Sequence, residues 1–152
     1  IKALTYFRAF GKPIFSCDSG LYFDGLPDEL QPGVHVRTVN GRMLTDEAMI
    51  AYYGGMAKQH GDLKARYKNA ICLVFDESHI FESMADDLSE NYFLLTSRPH
   101  KKRIDGFPLD SLSIHIPTGQ YYYDLMEQPA DDIVQSAGFH RFFEETLRII
   151  GA

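Results

Sequence analysis

Residues 13–25 constrain this chain more than any other stretch, because a short polar segment there separates two apolar ones. The polar residues are 16–20, Ser-Cys-Asp-Ser-Gly, with apolar residues directly before and after them. This pattern predicts a strand, a tight turn or bulge, and a second strand. Gly20 permits a positive φ, so backbone N–H groups can converge at the bend beside the carboxylate of Asp18.

The predicted bend has two interpretations. Carboxylate oxygens and convergent N–H groups suit a hard cation that is bound together with phosphates. The same residues also suit an Asx-type turn, in which the Asp18 side chain accepts a hydrogen bond from its own backbone. The spacing alone leaves both interpretations open.

The composition allows one compact domain and argues against several classes of protein. With 152 residues, of which 45% are hydrophobic, the chain can bury a substantial core. Its formal net charge of −6 argues against a general affinity for nucleic acids or anionic membranes. No stretch approaches the ~20 apolar residues that span a bilayer. Cys17 and Cys72 form no Cys-x-x-Cys pair, which favours reduced thiols in the cytoplasm.

The periodicity of the apolar residues predicts an α/β fold. Helices are expected at 2–10, 45–59 and 137–150, and Thr45 is a suitable cap for the second of them. Strands are expected where apolar runs or alternation occur, at 70–75, 80–84, 92–96 and 112–116. The acidic residues at 86, 87 and 90 and the basic run 100–103 are expected in solvated turns.

Three short motifs resemble one protein family. They are Gly11-Lys12-Pro13, Asp18-Ser19-Gly20-Leu21 with the nearby Asp24, and Pro32-Gly33-Val34. They resemble the non-canonical purine nucleoside triphosphate pyrophosphatases, the inosine triphosphatase family. Weaker similarity occurs at Lys2-Ala3, Phe107–Asp110 and His140-Arg141. The resemblance spans nearly all of the chain but only the later part of a typical member. We therefore expect residues 1–152 to form a single domain of this type, with the family's N-terminal strand and phosphate-binding loop lying before Ile1.

The resemblance implies a fold and a reaction. The family fold is an elongated, twisted mixed sheet flanked by helices, with an active-site cleft between two lobes. Family members use Mg²⁺ to hydrolyse non-canonical purine nucleoside triphosphates (ITP, dITP, XTP) to the monophosphate and pyrophosphate, and they are homodimers. The same substrate, cofactor and assembly are expected of this chain, with no nucleic-acid or membrane partner.

The resemblance also assigns roles to residues of this chain. Asp18 would be the magnesium ligand and general base, while Lys2 would neutralise charge on the phosphates. His140 and Arg141 would donate hydrogen bonds to a 6-keto purine and so discriminate against adenine. The other substrate contacts that the resemblance implies are Ser19, Gly20, Phe107 and Asp110.

Departures from the family pattern favour an alternative function. Cys17 replaces the first Asp of the family's Asp-Asp pair, and Pro108 and Leu109 replace Gly and Tyr in the loop over the base. The family also has a Lys shortly before its Ser-His-Arg motif, where this chain has Gln128, Asp131 and Asp132 and no Lys. The alternative is a catalytically impaired relative that acts as a nucleotide-binding or interaction protein. The sequence upstream of Ile1 would discriminate between the two functions.

Overall fold

The computed structural model describes residues 2–126 and 133–151. Within these residues lie three α-helices, α1 (Lys2–Phe10), α2 (Asp46–His60) and α3 (Ile133–Ile150). The strands are β1 (Ile14–Phe23), β2 (Thr38–Val39), β3 (Arg42–Met43), β4 (Leu63–Val74), β5 (Ile80–Ser83), β6 (Phe93–Leu95), β7 (Ser113–His115) and β8 (Gln120–Tyr121). The predicted α/β class is confirmed, and so are the three predicted helices, although α3 begins at Ile133 rather than at residue 137.

One sheet contains most of the strands, in the order β1-β4-β6-β7-β8, with β5 also paired to β4. The pairings β4–β5, β4–β6, β6–β7 and β7–β8 are antiparallel, and β2 and β3 form a separate antiparallel pair. Strand β4 begins at Leu63, earlier than expected, because Leu63 and Ala65 are buried and alternate with more exposed basic residues. The strand start was not predicted because the alternating basic residues were interpreted as a basic run before the apolar residues 70–75.

Strand β1 corrects the prediction for residues 13–25. It runs without a turn from Ile14 to Phe23, and Gly20 is not among the described glycines with a positive φ. Leu21 instead exchanges two backbone hydrogen bonds with Gly33, at N···O distances of 2.9 and 3.0 Å. A Cβ atom on Gly20 would lie 2.9 Å from the carbonyl carbon of Gly33. Glycine is therefore required here because another backbone approaches closely, and the Asx-turn interpretation is wrong.

Helix α2 begins as its sequence predicts. The Thr45 side chain accepts a hydrogen bond from the backbone N–H of Ala48, at 3.3 Å. Asp46 and Glu47 follow in the first turn, where negative charge is favourable beside the helix N-terminus. Along the same helix, the side chains of Met49, Tyr53 and Met56 are buried. The helix is therefore specified locally at its start and by core burial along one face.

The chain falls into two compact units. The first unit comprises residues 1–19, 68–90 and 132–152, and the second comprises residues 20–67 and 91–131. The first is built around a small apolar cluster of Ile71, Leu73, Leu88 and Phe142. The second has a larger cluster, in which residues of α2 pack with β4, β6 and the 3₁₀ helix Pro108–Leu112. The expected single domain and the cleft between two lobes stay predictions. None of the described helices has both the length and the apolar character needed to cross a membrane.

Candidate functional site

The first unit brings together Lys2 and Asp18, the two residues assigned to catalysis. Lys2 is the first residue of α1, and Asp18 lies in the middle of β1. The Lys2 Nζ atom donates a hydrogen bond to Asp18 Oδ1 at 3.0 Å, and the two side chains are 58% and 53% exposed. This hydrogen bond and the charge of Asp18 raise the pKa of Lys2. Lys2 therefore stays charged, and solvent or a ligand can reach both side chains.

A pocket of about 320 Å³ in the first unit includes this ion pair in its wall. Ser16 and Asp18 reach the pocket from β1, because alternate residues of a strand share a face. Cys72 on β4 and Glu82 on β5 also line it, and these two residues are directly opposite each other in the antiparallel pair. Burial and the neighbouring Glu82 raise the pKa of the Cys72 thiol. The polar wall thus consists of one ammonium group, two carboxyl groups, hydroxyl groups and a neutral thiol.

The oxygen donors of this pocket fit magnesium bound together with a substrate. Mg²⁺ is usually held by one or two carboxylates plus phosphate oxygens and water, and does not need a cage made only of protein ligands. Asp18 and Glu82 supply such carboxylates. Within residues 2–126 and 133–151, no three His, Cys, Asp or Glu side chains are grouped so that they could hold a metal alone. The donor set therefore matches a metal that the phosphates help to bind.

Cys17 occupies the position of the family's first Asp but cannot replace a carboxylate. The residue is exposed and makes no disulfide. Local desolvation and the charge of Asp18 raise the pKa of its thiol, so the group stays neutral. A neutral sulfur is a poor ligand for a hard cation such as Mg²⁺. A carboxylate that would share a metal with Asp18 has to come from another residue, and Glu82 is a described carboxylate that lines the same pocket.

Ser19 is held by a buried residue that the sequence analysis missed. The Ser19 Oγ atom donates a hydrogen bond to Asn69 Oδ1, and the Asn69 side chain is only 3% exposed. The other end of the amide, Asn69 Nδ2, donates to the carbonyl oxygen of Leu88 at 2.8 Å. A signal for Asn69 was present, because Asn is unfavourable in strands and this one directly precedes an apolar run.

The Arg141 guanidinium group donates hydrogen bonds to two carboxylates of the chain, those of Asp87 and Glu145. Its Nε and Nη2 atoms donate to the two carboxylate oxygens of Asp87, at 2.9 and 2.8 Å. Its Nη1 atom donates to the two carboxylate oxygens of Glu145, at 3.5 and 3.2 Å. The guanidinium group holds the pKa of Asp87 below its usual value. Asp87 was expected in a solvated acidic loop; its side chain is 34% exposed, but it lies in the 3₁₀ helix Asp86–Leu88 and is paired with Arg141. The adjacent His140 is exposed, with Nδ1 3.5 Å from Glu144.

The remaining predicted site residues, Gly20, Phe107 and Asp110, belong to the second unit. The Phe107 ring is exposed and precedes the 3₁₀ helix Pro108–Leu112. Leu109, where the family has Tyr, is 4% exposed and packs in the core, so it does not replace an aromatic ligand contact. Burial raises the pKa of the Asp110 carboxyl group. Residues 127–132, where the family's late Lys would fall, lie outside the described part of the chain.

Asp46 fixes the loop that precedes Phe107 through hydrogen bonds, a role that the sequence did not predict. Its two carboxylate oxygens accept hydrogen bonds from the backbone N–H of Gly106 at 2.7 Å and from Arg37 Nη1 at 2.6 Å. These donors lower the pKa of Asp46. Arg37, Phe107 and Asp110 also line a pocket of about 210 Å³ within the second unit. The first residue of α2 thus fixes a loop that is distant in the sequence.

Comparisons with known proteins identify the fold. No model of a known protein family matches the chain, and no curated protein matches it. Among solved structures, the Ham1 protein of Staphylococcus aureus is similar to this chain, with a TM-score of 0.68 and 18% sequence identity. The alignment covers 95% of this chain and 72% of the Ham1 chain. A nucleoside-triphosphatase / dITP/XTP pyrophosphatase from Mycobacterium abscessus has a TM-score of 0.64 and 21% identity, covering 94% and 70%. A HAM1 protein from Coxiella burnetii has a TM-score of 0.61 and 18% identity, also covering 94% and 70%. The fold that the sequence motifs implied is thereby confirmed: this chain has the fold of the Ham1 proteins and of the dITP/XTP pyrophosphatase.

Proposed function

We propose that this protein hydrolyses non-canonical purine nucleoside triphosphates, such as ITP, dITP and XTP, to the monophosphate and pyrophosphate. The observation that carries the proposal is the ion pair between Lys2 and Asp18 in the pocket of the first unit. Both residues belong to the motifs that resemble the inosine triphosphatase family. The fold is shared with a protein described as a dITP/XTP pyrophosphatase.

Asp18 and Lys2 have the chemistry that this reaction needs. The Asp18 carboxylate, which is half exposed, accepts a proton from a water molecule as the water oxygen attacks the α-phosphorus. The bond to the bridging oxygen breaks, and pyrophosphate leaves with the electron pair. Lys2 uses one N–H to bind Asp18 and has two further N–H donors for phosphate oxygens. It thereby stabilises the negative charge that develops in phosphoryl transfer.

Magnesium is the cofactor that we propose, held by Asp18 with Glu82 in the same pocket. When bound, it neutralises charge on the phosphate oxygens. The neutral thiol of Cys72 contributes no ligand, because soft sulfur disfavours this cation.

His140 and Arg141 are the proposed contacts for the purine. The His140 side chain is exposed, so its ring N–H can donate to the 6-keto oxygen of hypoxanthine or xanthine. Arg141 makes four hydrogen bonds within the protein, two to Asp87 and two to Glu145, and a guanidinium group has five N–H donors. One N–H group therefore remains for the base. Adenine carries an amino group at the same position and would leave such donors unpaired. Ser19, Gly20, Phe107 and Asp110 stay proposed contacts with the rest of the nucleotide.

We further propose that the protein is cytoplasmic and forms a homodimer. Both cysteines are free, as a reducing compartment would keep them. Helix α1 carries an exposed stacked pair, Tyr6 and Phe10, with ring centroids 6.2 Å apart, and such aromatic surface suits a partner protein. Sedimentation velocity that finds only monomer at micromolar concentration would contradict the dimer.

Release of pyrophosphate by the full-length protein tests the function. With Mg²⁺ present, we expect turnover of ITP and XTP to exceed that of ATP. Asp18→Asn keeps the shape but removes the base and the anionic ligand, and we expect the rate to fall about 10²–10⁴-fold. Asp76→Asn is a matched control, because Asp76 is similarly exposed, at 46%, and pairs with His79 at 2.8 Å in the first unit. Cys17→Asp should leave activity unchanged or raise it.

Two results would reject the enzymatic function. The first is full-length protein that binds no nucleotide. The second is an Asp18→Asn variant that releases pyrophosphate as fast as the wild type, since a carboxylate without a catalytic role tolerates Asn. Nucleotide binding without turnover would leave the alternative, a catalytically impaired relative.

A further inference from the structure

Asn69 is a buried polar residue whose position is not explained by strand formation. It lies within β4, where Asn is unfavourable, and its side chain is 3% exposed. A buried amide is tolerated when both its donor and its acceptor are paired. Asn69 meets this condition through two residues from different parts of the chain, Ser19 and Leu88.

The first of these contacts, with Ser19, joins Asn69 to β1, the strand that carries Asp18. Ser19 directly follows Asp18 on β1, and its hydroxyl group donates to the Asn69 amide oxygen. A hydrogen bond to a rigid, buried amide restricts both the Ser19 rotamer and the local position of the strand. Since Asp18 directly precedes Ser19, the position of the Asp18 carboxylate relative to β4 depends on the same contact.

The second contact reaches the turn that holds Arg141. Leu88 is the last residue of the 3₁₀ helix Asp86–Leu88, and its carbonyl oxygen accepts from Asn69 Nδ2 at 2.8 Å. The preceding residue, Asp87, binds the Arg141 guanidinium group through two hydrogen bonds. Gly138 of α3 also packs directly against the Asp87 backbone. One amide therefore joins the strand that carries Asp18 to the turn that orients Arg141.

We propose that Asn69 is a positioning residue for nucleotide hydrolysis, connecting the group that acts on the phosphates with the group that binds the purine. This inference rests on the proposed function. A nucleotide is bound productively only when its phosphate end and its base end are both held at the right distance. Displacing a reacting group by about 1 Å can cost about 10²-fold in rate. Asn69 limits such displacement because its amide is planar and bonded at both ends.

The test compares Asn69→Ala with Thr146→Val as a matched control. Thr146 is also buried and polar, at 4% exposed, but its hydroxyl group bonds to the carbonyl oxygen of Phe142 within α3. Both variants remove a buried hydrogen-bonding group from the first unit, whereas only Asn69→Ala disconnects β1 from the Asp86–Leu88 turn. Both are assayed with ITP and Mg²⁺ at a temperature at which circular dichroism shows each to be folded.

We expect Asn69→Ala to lower kcat/KM for ITP at least about 10-fold, with effects on both kcat and KM. Thr146→Val should change kcat/KM less than about twofold, even if its Tm falls as much as that of Asn69→Ala. A double-mutant cycle adds a second measure. In the Arg141→Ala background, the further effect of Asn69→Ala should be at least about threefold smaller, because part of what Asn69 orients has been removed.

Asn69→Asp provides a second variant if Asn69→Ala fails to fold. It keeps the size of the side chain and an acceptor for Ser19, but at neutral pH it loses the donor to Leu88. It should therefore lower kcat/KM as well. Equal kcat/KM for the Asn69 variants and the Thr146 control, or fully independent effects of Asn69 and Arg141, would overturn the positioning role alone. A wild-type protein without turnover would reject the proposed function, and the positioning role with it.

Discussion

Gly138→Ala tests how closely α3 packs on the Asp86–Leu88 turn. A Cβ atom built on Gly138 would overlap the carbonyl oxygen of Asp87 and would lie 2.6 Å from its carbonyl carbon. These are backbone atoms, which cannot rotate away as a flexible side chain can. The substitution therefore forces the helix or the turn to move, and with it the ion pair between Arg141 and Asp87.

The size of the effect follows from two opposing terms. Ordinary contacts between non-bonded heavy atoms are about 3.5–4.0 Å long, so the contact of 2.6 Å with the Asp87 carbonyl carbon requires a shift of about 1 Å. Overpacking of this kind costs about 1–3 kcal/mol, occasionally more. Against this, Ala is more favourable than Gly within a helix by up to about 1 kcal/mol. We expect a net loss of about 1–2 kcal/mol in the free energy of unfolding, which corresponds to a Tm lower by several degrees.

Urea unfolding of the wild type and two variants measures this difference. Gly55→Ala is the matched control, because Gly55 lies within α2 and a Cβ atom there would meet nothing within 4 Å. The control should raise the free energy of unfolding by up to about 1 kcal/mol, since only the helix preference acts. If Gly138→Ala is as stable as the wild type, the close approach of α3 to Asp87 is absent from the molecule and the reasoning is refuted.

Two further predictions concern the second unit. Gly20→Ala should lower the free energy of unfolding by about 1–3 kcal/mol, because its Cβ atom would lie 2.9 Å from both the Gly33 carbonyl carbon and a Tyr22 ring atom. Urea unfolding checks this, and unchanged stability would contradict the backbone contact. Asp46 has a folded-state pKa below its ordinary value of 3.8, so its stabilising effect is present above that value and is lost as the pH falls through the folded-state pKa. The stability difference between wild type and Asp46→Asn should therefore be constant near neutral pH and shrink below pH ~4, and a difference that grows with acidification would contradict this.

The helices could be predicted from the sequence because their signals are local. Thr45 caps α2 by bonding to a residue three positions later, and the apolar residues of one turn reappear on the same face in the next. Strand β1 was predicted less well. Ser, Asp and Gly are typical of turns, so residues 16–20 resembled a bend, whereas pairing within the sheet holds them in an extended strand.

The sequence by itself determined the α/β class, the three helices and, through its motifs, the candidate roles of Asp18 and Lys2. Only the tertiary structure decided what surrounds them. Ser19 and Asn69 are 50 residues apart in the sequence, and Arg141 and Asp87 are 54 apart. No periodicity links residues at such separations, because they meet only when strands pair and a helix packs on a turn. The orientation of the candidate site therefore depends on contacts that form only when the chain folds.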